Sequence, residues 1–548
     1  MRVNRAVIDR LVSNGVDTVF GIPGKQSLPL NEEIGSRDDI EFVVSRHETA
    51  VSHQAWGYAE TSDGMAATVV IPGPGDMNAM NGLKNAYNDC TPLLHIAIET
   101  EPDLRGGDAI HETPPDTYDP VVKENVLVEN PESTAAEIDR AAAVAQSEPQ
   151  GPVRVGIPKN FLKMDVALAE RGSSSVEGRI EPDPETVSRA ADLLASASEP
   201  VIFAGGGVRS ADASDELRAV AERLDAPVVT SYKGKGVLAE DHDLSAGCLS
   251  GSASPELLSC LAEADIVLGV GTDFDALGTR GFSVEFPDDL IHVTLDANDI
   301  GTGYDPTIGV VADAKLTLSA MDDALADREL ESSTRSGVER ARYVRERTAE
   351  RVSELVDARD PLTSVGALSV IRNVLPRDAI VTADAGGFRV WGLNTFEAYG
   401  PHRYVNPGSW ATMGTGVPSA IGAALSNPET PVVALTGDGG LMMCLHELHT
   451  AVAEEVPIVV VVFNNEDYAL ISDEAGRSYD LQPQEYEWGD SPIDFVAVAE
   501  GMGVDATRAD GPDEIRDALS HALTADRPSL VEIRTDPTEP QASEWMSE

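Results

Sequence analysis

Pro431-Val-Val-Ala-Leu-Thr-Gly-Asp-Gly-Gly440 and, downstream, Pro457-Ile-Val-Val-Val-Val-Phe-Asn-Asn465 decide the fold of this chain. Each is a short, almost unbroken apolar run that stops abruptly at glycine, aspartate or asparagine. Runs without polar alternation suit strands covered on both faces, as in a parallel sheet. Between Gly439 and Asn464 lie 24 residues, enough for a loop, one helix and a returning strand. The crossover brings Asp438 and Asn465 to the carboxyl ends of neighbouring strands, on one sheet edge. A carboxylate and an amide oxygen there suit a hard cation such as Mg²⁺, which completes its shell with phosphate oxygens. Gly437, Gly439 and Gly440 clear side chains from the place a pyrophosphate must approach. A helix expected from about Leu441 would aim its N–H groups at it. Gly-Asp-Gly alone is an ordinary turn; its pairing with Asn-Asn at this spacing points to a Mg²⁺-diphosphate site.

Working outward, similar runs recur at Val201–Gly207, Ile266–Gly271 and Ile291–Asp296. Two stretches interrupt the strand-and-helix alternation: Asp165–Glu185, polar and turn-rich, and Asp322–Pro361, where a charge-dense helical segment from Arg340 to Asp357 ends at Asp360-Pro361. They divide the chain into residues 1–165, 186–325 and 360–548, each expected to be a doubly wound, parallel α/β domain.

With 548 residues, three or four domains are expected. Lys and Arg total 40, eight of them Lys, against 93 Asp and Glu, a formal charge of −53. Such a surface repels nucleic acid and anionic membranes and resembles that of proteins from salt-rich cytoplasms. No apolar run approaches the ~20 residues of a membrane span. The amphipathic opening Met1-Arg-Val-Asn-Arg-Ala-Val-Ile8 does not read as a leader, so a cytoplasmic protein is expected. Cys90, Cys248, Cys260 and Cys444 share no metal-ligand spacing.

Beyond the metal motif, Ala383-Asp-Ala-Gly-Gly-Phe388, Ala411-Thr-Met-Gly-Thr-Gly-Val-Pro418, Val19-Phe-Gly-Ile-Pro-Gly24, Arg46-His-Glu48 and Gly73-Pro-Gly75 with Asn78 complete a pattern. Over nearly its whole length the chain resembles the thiamine-diphosphate enzymes of the acetolactate synthase and pyruvate decarboxylase family. The resemblance implies pyrimidine-binding, central and diphosphate-binding domains, in that order, with thiamine diphosphate and Mg²⁺ as cofactors. Asp438, Asn465 and the backbone carbonyl of Asp467 become the metal ligands. Gly386, Gly387, Phe388, Ala411, Met413, Gly437, Gly439, Gly440 and Tyr468 join Asp438 and Asn465 against the cofactor. Met413 is the apolar wedge that bends it. Glu48 becomes the activating acid that hydrogen-bonds the cofactor's aminopyrimidine, a role that needs a largely apolar setting. In the family this acid reaches a cofactor held by another subunit, which implies at least a homodimer, or a tetramer. A regulatory small subunit is a further implied partner, and FAD is compatible with the central domain.

The substrate pocket departs from acetolactate synthase. Asp473 and Glu474 stand where a Gln-Trp pair is expected, and Asp275-Ala276-Leu277 replaces Asp-Asp-Arg, with Arg280 shifted nearby. Glu99 replaces a Gln, and Ile110-His111-Glu112 replaces Phe-Gln-Glu. Lys25, Glu99, His111 and Leu470 are the candidate pocket residues, with Lys25 suited to a substrate carboxylate. His446-Glu-Leu-His449 has its histidines three apart, not the four of a zinc helix. The expected activity is decarboxylation of a 2-oxo acid with transfer of the acyl unit to a second carbonyl compound. Aldehyde release, as in benzoylformate and pyruvate decarboxylases, is the alternative. A nicotinamide or flavin dehydrogenase would use the central glycines but leave Asp438 and Asn465 unexplained. A non-catalytic subunit would be expected to lack Glu48.

Overall fold

The computed structural model describes residues 1–167, 178–356, 360–479, 481 and 486–546. They form three six-stranded sheets whose strands are parallel at every pairing. The first comprises β1 (Thr18–Gly21), β2 (Glu41–Val44), β3 (Ala66–Val70), β4 (Leu93–Glu99), β5 (Glu124–Leu127) and β6 (Pro152–Pro158). Its order is β2-β1-β3-β4-β6-β5. The second contains β7 (Pro200–Ala204), β8 (Val228–Ser231), β9 (Ser245–Leu249), β10 (Ile266–Val270), β11 (Asp289–Thr294) and β12 (Ile308–Val311). These are ordered β12-β11-β10-β7-β8-β9. The third holds β13 (Ile380–Ala383), β14 (Tyr404–Val405), β15 (Val432–Gly437), β16 (Val459–Asn464), β17 (Asp505–Ala509) and β18 (Ser529–Arg534), ordered β14-β13-β15-β16-β18-β17. Order reverses inside each sheet, and the crevice beyond the strand ends at such a point is where α/β proteins place ligands.

Apolar strands explain this layering. Residues 459–464 are buried throughout β16, and β15 is buried to its penultimate residue. Alternate side chains therefore enter different cores: Val433, Leu435, Val459 and Val461 lie on one side of the third sheet, and Val432, Ala434, Val460 and Val462 on the other. The segment expected as a charged connection contains the helix Gly337–Val356, which buries Ala341, Val344, Val352 and Leu355.

Two helices join the outer domains. Glu48–Glu60 is buried from Ala50 to its end, and Gly416–Ser426 is buried from Gly416 to Ala424. A Cβ on Gly57 would stand 2.2 Å from the Ser419 carbonyl oxygen, and one on Gly422 1.9 Å from that of Gln54. Neither position tolerates a side chain, so the backbones approach directly. All three domains meet at a buried charge cluster: Lys233 donates to Glu60 at 3.0 Å, Asp89 at 2.9 Å and the Asn406 carbonyl at 3.1 Å, and Arg209 also pairs with Glu60. Among the described residues no helix is long and apolar enough to cross a membrane.

Candidate active site

β15 and β16 pair in parallel with Gly437 opposite Phe463, so Asp438 and Asn465 leave the same sheet edge. The helix begins at Asp438, not near Leu441, and runs to Cys444. Asp438 is buried; it accepts the N–H of Gly439 at 2.8 Å, Asn465 at 3.2 Å and Glu466 at 2.7 Å. Burial pushes its carboxyl up to about 7 against the pull of those N–H groups. The Asn465 side-chain oxygen accepts the Asp467 N–H at 3.2 Å. Oxygen donors of this kind, around a buried acid, fit a hard divalent cation.

Space for a diphosphate is defined by what glycine leaves out. A Cβ on Gly439 would lie 2.6 Å from the Tyr468 ring and 3.4 Å from Met413 Cε, and one on Gly440 2.8 Å from Asp384 Oδ2. A Cβ on Gly387 would lie 3.8 Å from Leu470 and one on Gly386 2.7 Å from Phe388, whose ring stacks on Phe463 with centroids 4.8 Å apart. Gly386, Gly387, Phe388, Met413, Gly437, Asp438, Gly439, Gly440, Tyr468 and Leu470 thus gather at one edge, and the cradle fits the cofactor that the motif implies. Ala411 adopts φ 43°, a left-handed backbone, immediately before Thr412 and Met413.

Asp384 organises this edge, a role the sequence did not reveal. Fully buried at the end of β13, it accepts the N–H of Ala385, Gly414 and Thr415 and the hydroxyls of Thr415 and Thr436. Three separate segments are pinned to a single carboxylate, which burial pushes upward from its ordinary range. An aspartate at the end of an apolar strand, ahead of paired glycines, was the available signal.

Glu48 opens its helix in the first domain and accepts from Asn78 Nδ2 at 3.0 Å. A Cβ on Gly75 would come within 3.1 Å of its Oε1 and 2.8 Å of Ile71, and one on Gly24 within 2.2 Å of Ile71. Lys25 is exposed on that same loop. His111, at φ 64°, lays its carbonyl over Gly73. A separate pocket between the first and third domains is lined by His47, Thr49, Ala50, Thr412, Met413 and Met443 among others. Glu99 points elsewhere: it is buried in an ion pair with Arg154, which also holds Asp76. Asp473 and Glu474 pair with Arg477, and Arg280 donates to the Ala253 carbonyl.

At the β7 and β10 ends of the central sheet lies a cavity of about 280 Å³, lined by Gly206, Gly207, Gly271 and several acids. Among the described residues, Asp89, Glu148, Asp273, Asp275, Asp296 and Asp299 share this lining with two cationic side chains, Arg209 and Lys233. Both cations are committed to Glu60 or Asp89. This donor set does not fit the diphosphate of a flavin dinucleotide.

Three family models match in order: "Thiamine pyrophosphate enzyme, N-terminal TPP binding domain" over residues 1–119, its central domain over 187–321, and its C-terminal TPP binding domain over 384–533. The chain is 30% identical to the "Probable acetolactate synthase large subunit" of Methanocaldococcus jannaschii, over 98% of this chain and 93% of that one. It is 28% identical to the acetolactate synthase isozyme 1 large subunit of Escherichia coli, covering 97% and 94%. Its fold matches the X-ray structure of a protein from Mycobacterium smegmatis with TM-score 0.82 at 24% identity, covering 99% and 100%. With three domain matches in sequence and the glycine cradle at the third sheet's edge, the chain belongs to the acetolactate synthase-like thiamine pyrophosphate enzymes.

Proposed function

We propose that the protein is a Mg²⁺- and thiamine-diphosphate-dependent carboligase that decarboxylates a 2-oxo acid and transfers the remaining acyl unit to a second carbonyl compound. The observation that carries this reading is the gathering of Asp438, the Asn465 turn, Met413, Tyr468 and Gly386–Gly387 around one strand-end crevice. Asp438, Asn465 and the Asp467 carbonyl would hold the cation, and the glycines would admit the diphosphate. Bound there, thiamine diphosphate supplies the electron sink that lets a 2-oxo acid lose CO₂. Met413 would press the pyrimidine into place, and Glu48 would hold a proton at the pyrimidine nitrogen. Lys25 and His111, beside the Gly73–Gly75 turn, would face the substrate's anionic end. Leu470 would give the pocket an apolar wall, whereas Glu99, spent on Arg154, would act through packing.

Glu48 hydrogen-bonds within its own domain, and the exposed side chains Met77, Met442, Met443 and Tyr468 flank both halves of the site. A second copy covering them would bring Glu48 to the partner's cofactor, so the proposed unit is a homodimer or a dimer of dimers. The relatives named large subunits support a small regulatory partner. FAD is left out of the proposal on the acid balance of the central cavity. Domain limits of 1–165, 186–325 and 360–548, a cytoplasmic location and a salt-rich setting complete the reading.

Aldehyde release is the second reading. It is favoured by Asp473 and Glu474, whose pairing with Arg477 leaves no aromatic or amide selector for a second 2-oxo acid at that place. The deciding experiment supplies pyruvate, Mg²⁺ and thiamine diphosphate in high salt and follows acetolactate and acetaldehyde. Acetolactate supports carboligation, and acetaldehyde alone overturns it. Neither product, with cofactor bound, rules out pyruvate as donor. The same preparation should lack a flavin band near ~450 nm.

A further inference from the structure

We propose that Glu447, a residue of the cofactor-binding domain, is the positioning residue that sets the direction of Glu48 in the other domain. Glu447 is fully buried at the start of the helix Glu447–Ala453. Its Oε1 accepts the backbone N–H of Arg46 and of His47, each at 3.0 Å. Its Oε2 accepts Gln54 Nε2 at 3.1 Å and the Thr450 hydroxyl at 2.6 Å. Two consecutive backbone N–H groups converging on one oxygen make a small anion-binding concavity. The anion here comes from another domain.

These two peptides immediately precede Glu48. His47 is the N-cap of the Glu48–Glu60 helix, and its Nδ1 accepts the Thr49 N–H at 3.2 Å. Gln54 lies in the second turn of that helix and bonds Ser45 at 2.6 Å. A single carboxylate therefore fixes both the entry to the helix and a point further along it. The main chain at Glu48, the first helical residue between them, is thus fixed from both sides, which sets where its side chain departs. Around this clamp the His47 and His446 rings tilt together with centroids 5.8 Å apart, and Arg46 donates to His449 Nδ1 at 3.0 Å. Glu447 is fully buried, with His446 Nε2 also 3.3 Å from its Oε1, and beyond its own helix its remaining contacts run to the segment that carries Glu48, so we take it to act through Glu48. It also follows Asp438 on the same segment, so one stretch of chain carries a cation ligand and the support of the acid.

The inference rests on Glu48 being the activating acid, and the test separates the two. The full-length protein with Mg²⁺ and thiamine diphosphate is placed in D₂O, and exchange of the cofactor's C2 hydrogen is followed by acid quench and proton NMR. Affinity for the cofactor is measured in parallel by calorimetry. Glu447→Ala should slow exchange about 10- to 100-fold while cofactor affinity changes by less than about threefold. Glu447→Gln, which keeps an acceptor oxygen for Arg46 and His47, should recover most of the rate. In a Glu48→Gln background, Glu447→Ala should add nothing, because both act through one group. Wild-type exchange in Glu447→Ala, or losses that multiply in the double variant, would overturn the proposal. If Glu447→Ala does not fold, Glu447→Asp withdraws the oxygens by one methylene while keeping charge, and wild-type exchange in that variant overturns it equally. Absence of exchange in the unmodified protein would instead remove the assigned role of Glu48, and this proposal with it.

Discussion

Asn78 Nδ2 lies 3.0 Å from Glu48 Oε2, one turn into the helix that starts at Pro74. That contact holds the carboxylate over the Gly73–Gly75 turn, where a side chain on Gly75 would press on Glu48 Oε1. Glu48→Gln should retain cofactor binding and lose at least about 100-fold in turnover, the scale of a positioned proton-transfer group. Asn78→Ala should cost less, because the acid remains while its orientation loosens. Steady-state rates beside calorimetric cofactor affinity would check both; unchanged turnover in Glu48→Gln contradicts the assignment.

Removal of the Asp438 carboxylate should act on binding rather than on proton transfer. Asp438→Ala leaves the N–H groups of Gly439, Asn465 and Glu466 without their acceptor and takes away the proposed cation ligand. Cofactor affinity in Mg²⁺ should fall at least about 100-fold, in line with the loss of a charge-assisted contact worth about 3 kcal/mol. Calorimetric titration with and without Mg²⁺ measures it, and retention of Mg²⁺-dependent affinity would exclude the site.

At the three-domain junction, burial alone would raise the Glu60 carboxyl, but Arg209 and Lys233 outweigh it and hold Glu60 at about 2. Lys233→Met leaves the Asp89 carboxylate without its cation, while Glu60 keeps Arg209. About 3 kcal/mol of stability should be lost, the usual cost of breaking a buried pair from one side. Urea denaturation would show it as a shifted midpoint.

His53 is fully buried, and among the described residues neither ring nitrogen has a hydrogen-bond partner. Burial pulls its pKa from 6.5 down to about 3. The unfolded chain therefore binds a proton below about pH 6.5 that the folded chain refuses until near pH 3. Stability from this group is full at neutral pH and drains as pH falls, by about 2 kcal/mol between pH 6.5 and pH 5. His53→Gln should flatten that part of the pH–stability curve; an unchanged acid slope would show that other groups govern it.

A formal charge of −53 makes self-repulsion a whole-molecule term. Melting temperature should rise between ~0.1 M and ~2 M KCl, as the screening length contracts from about 10 Å to a few ångströms. A melting temperature independent of salt would remove the case for a salt-rich setting.

By itself the sequence pointed to parallel sheets in three domains and to a shared strand edge for Asp438 and Asn465 in the third. Unbroken apolar runs suit strands buried on both faces, as in a parallel sheet, and a crossover of this length returns Asn465 beside Asp438. The helix after β15 starts three residues earlier than its glycines suggest, since glycines that read as a loop are tolerated here for the space they leave. Only the tertiary structure decided which acids serve the site and which serve packing. Glu99 and Glu447 are both plain glutamates in sequence, yet one is consumed by Arg154 while the other accepts two N–H groups from a segment 400 residues away. Asp384 likewise depends on Gly414, Thr415 and Thr436 arriving from elsewhere. Hydrophobic periodicity is written locally and survives in the sequence. The partner of a buried charge is set by which distant segments pack around it, and that is a property of the folded chain alone.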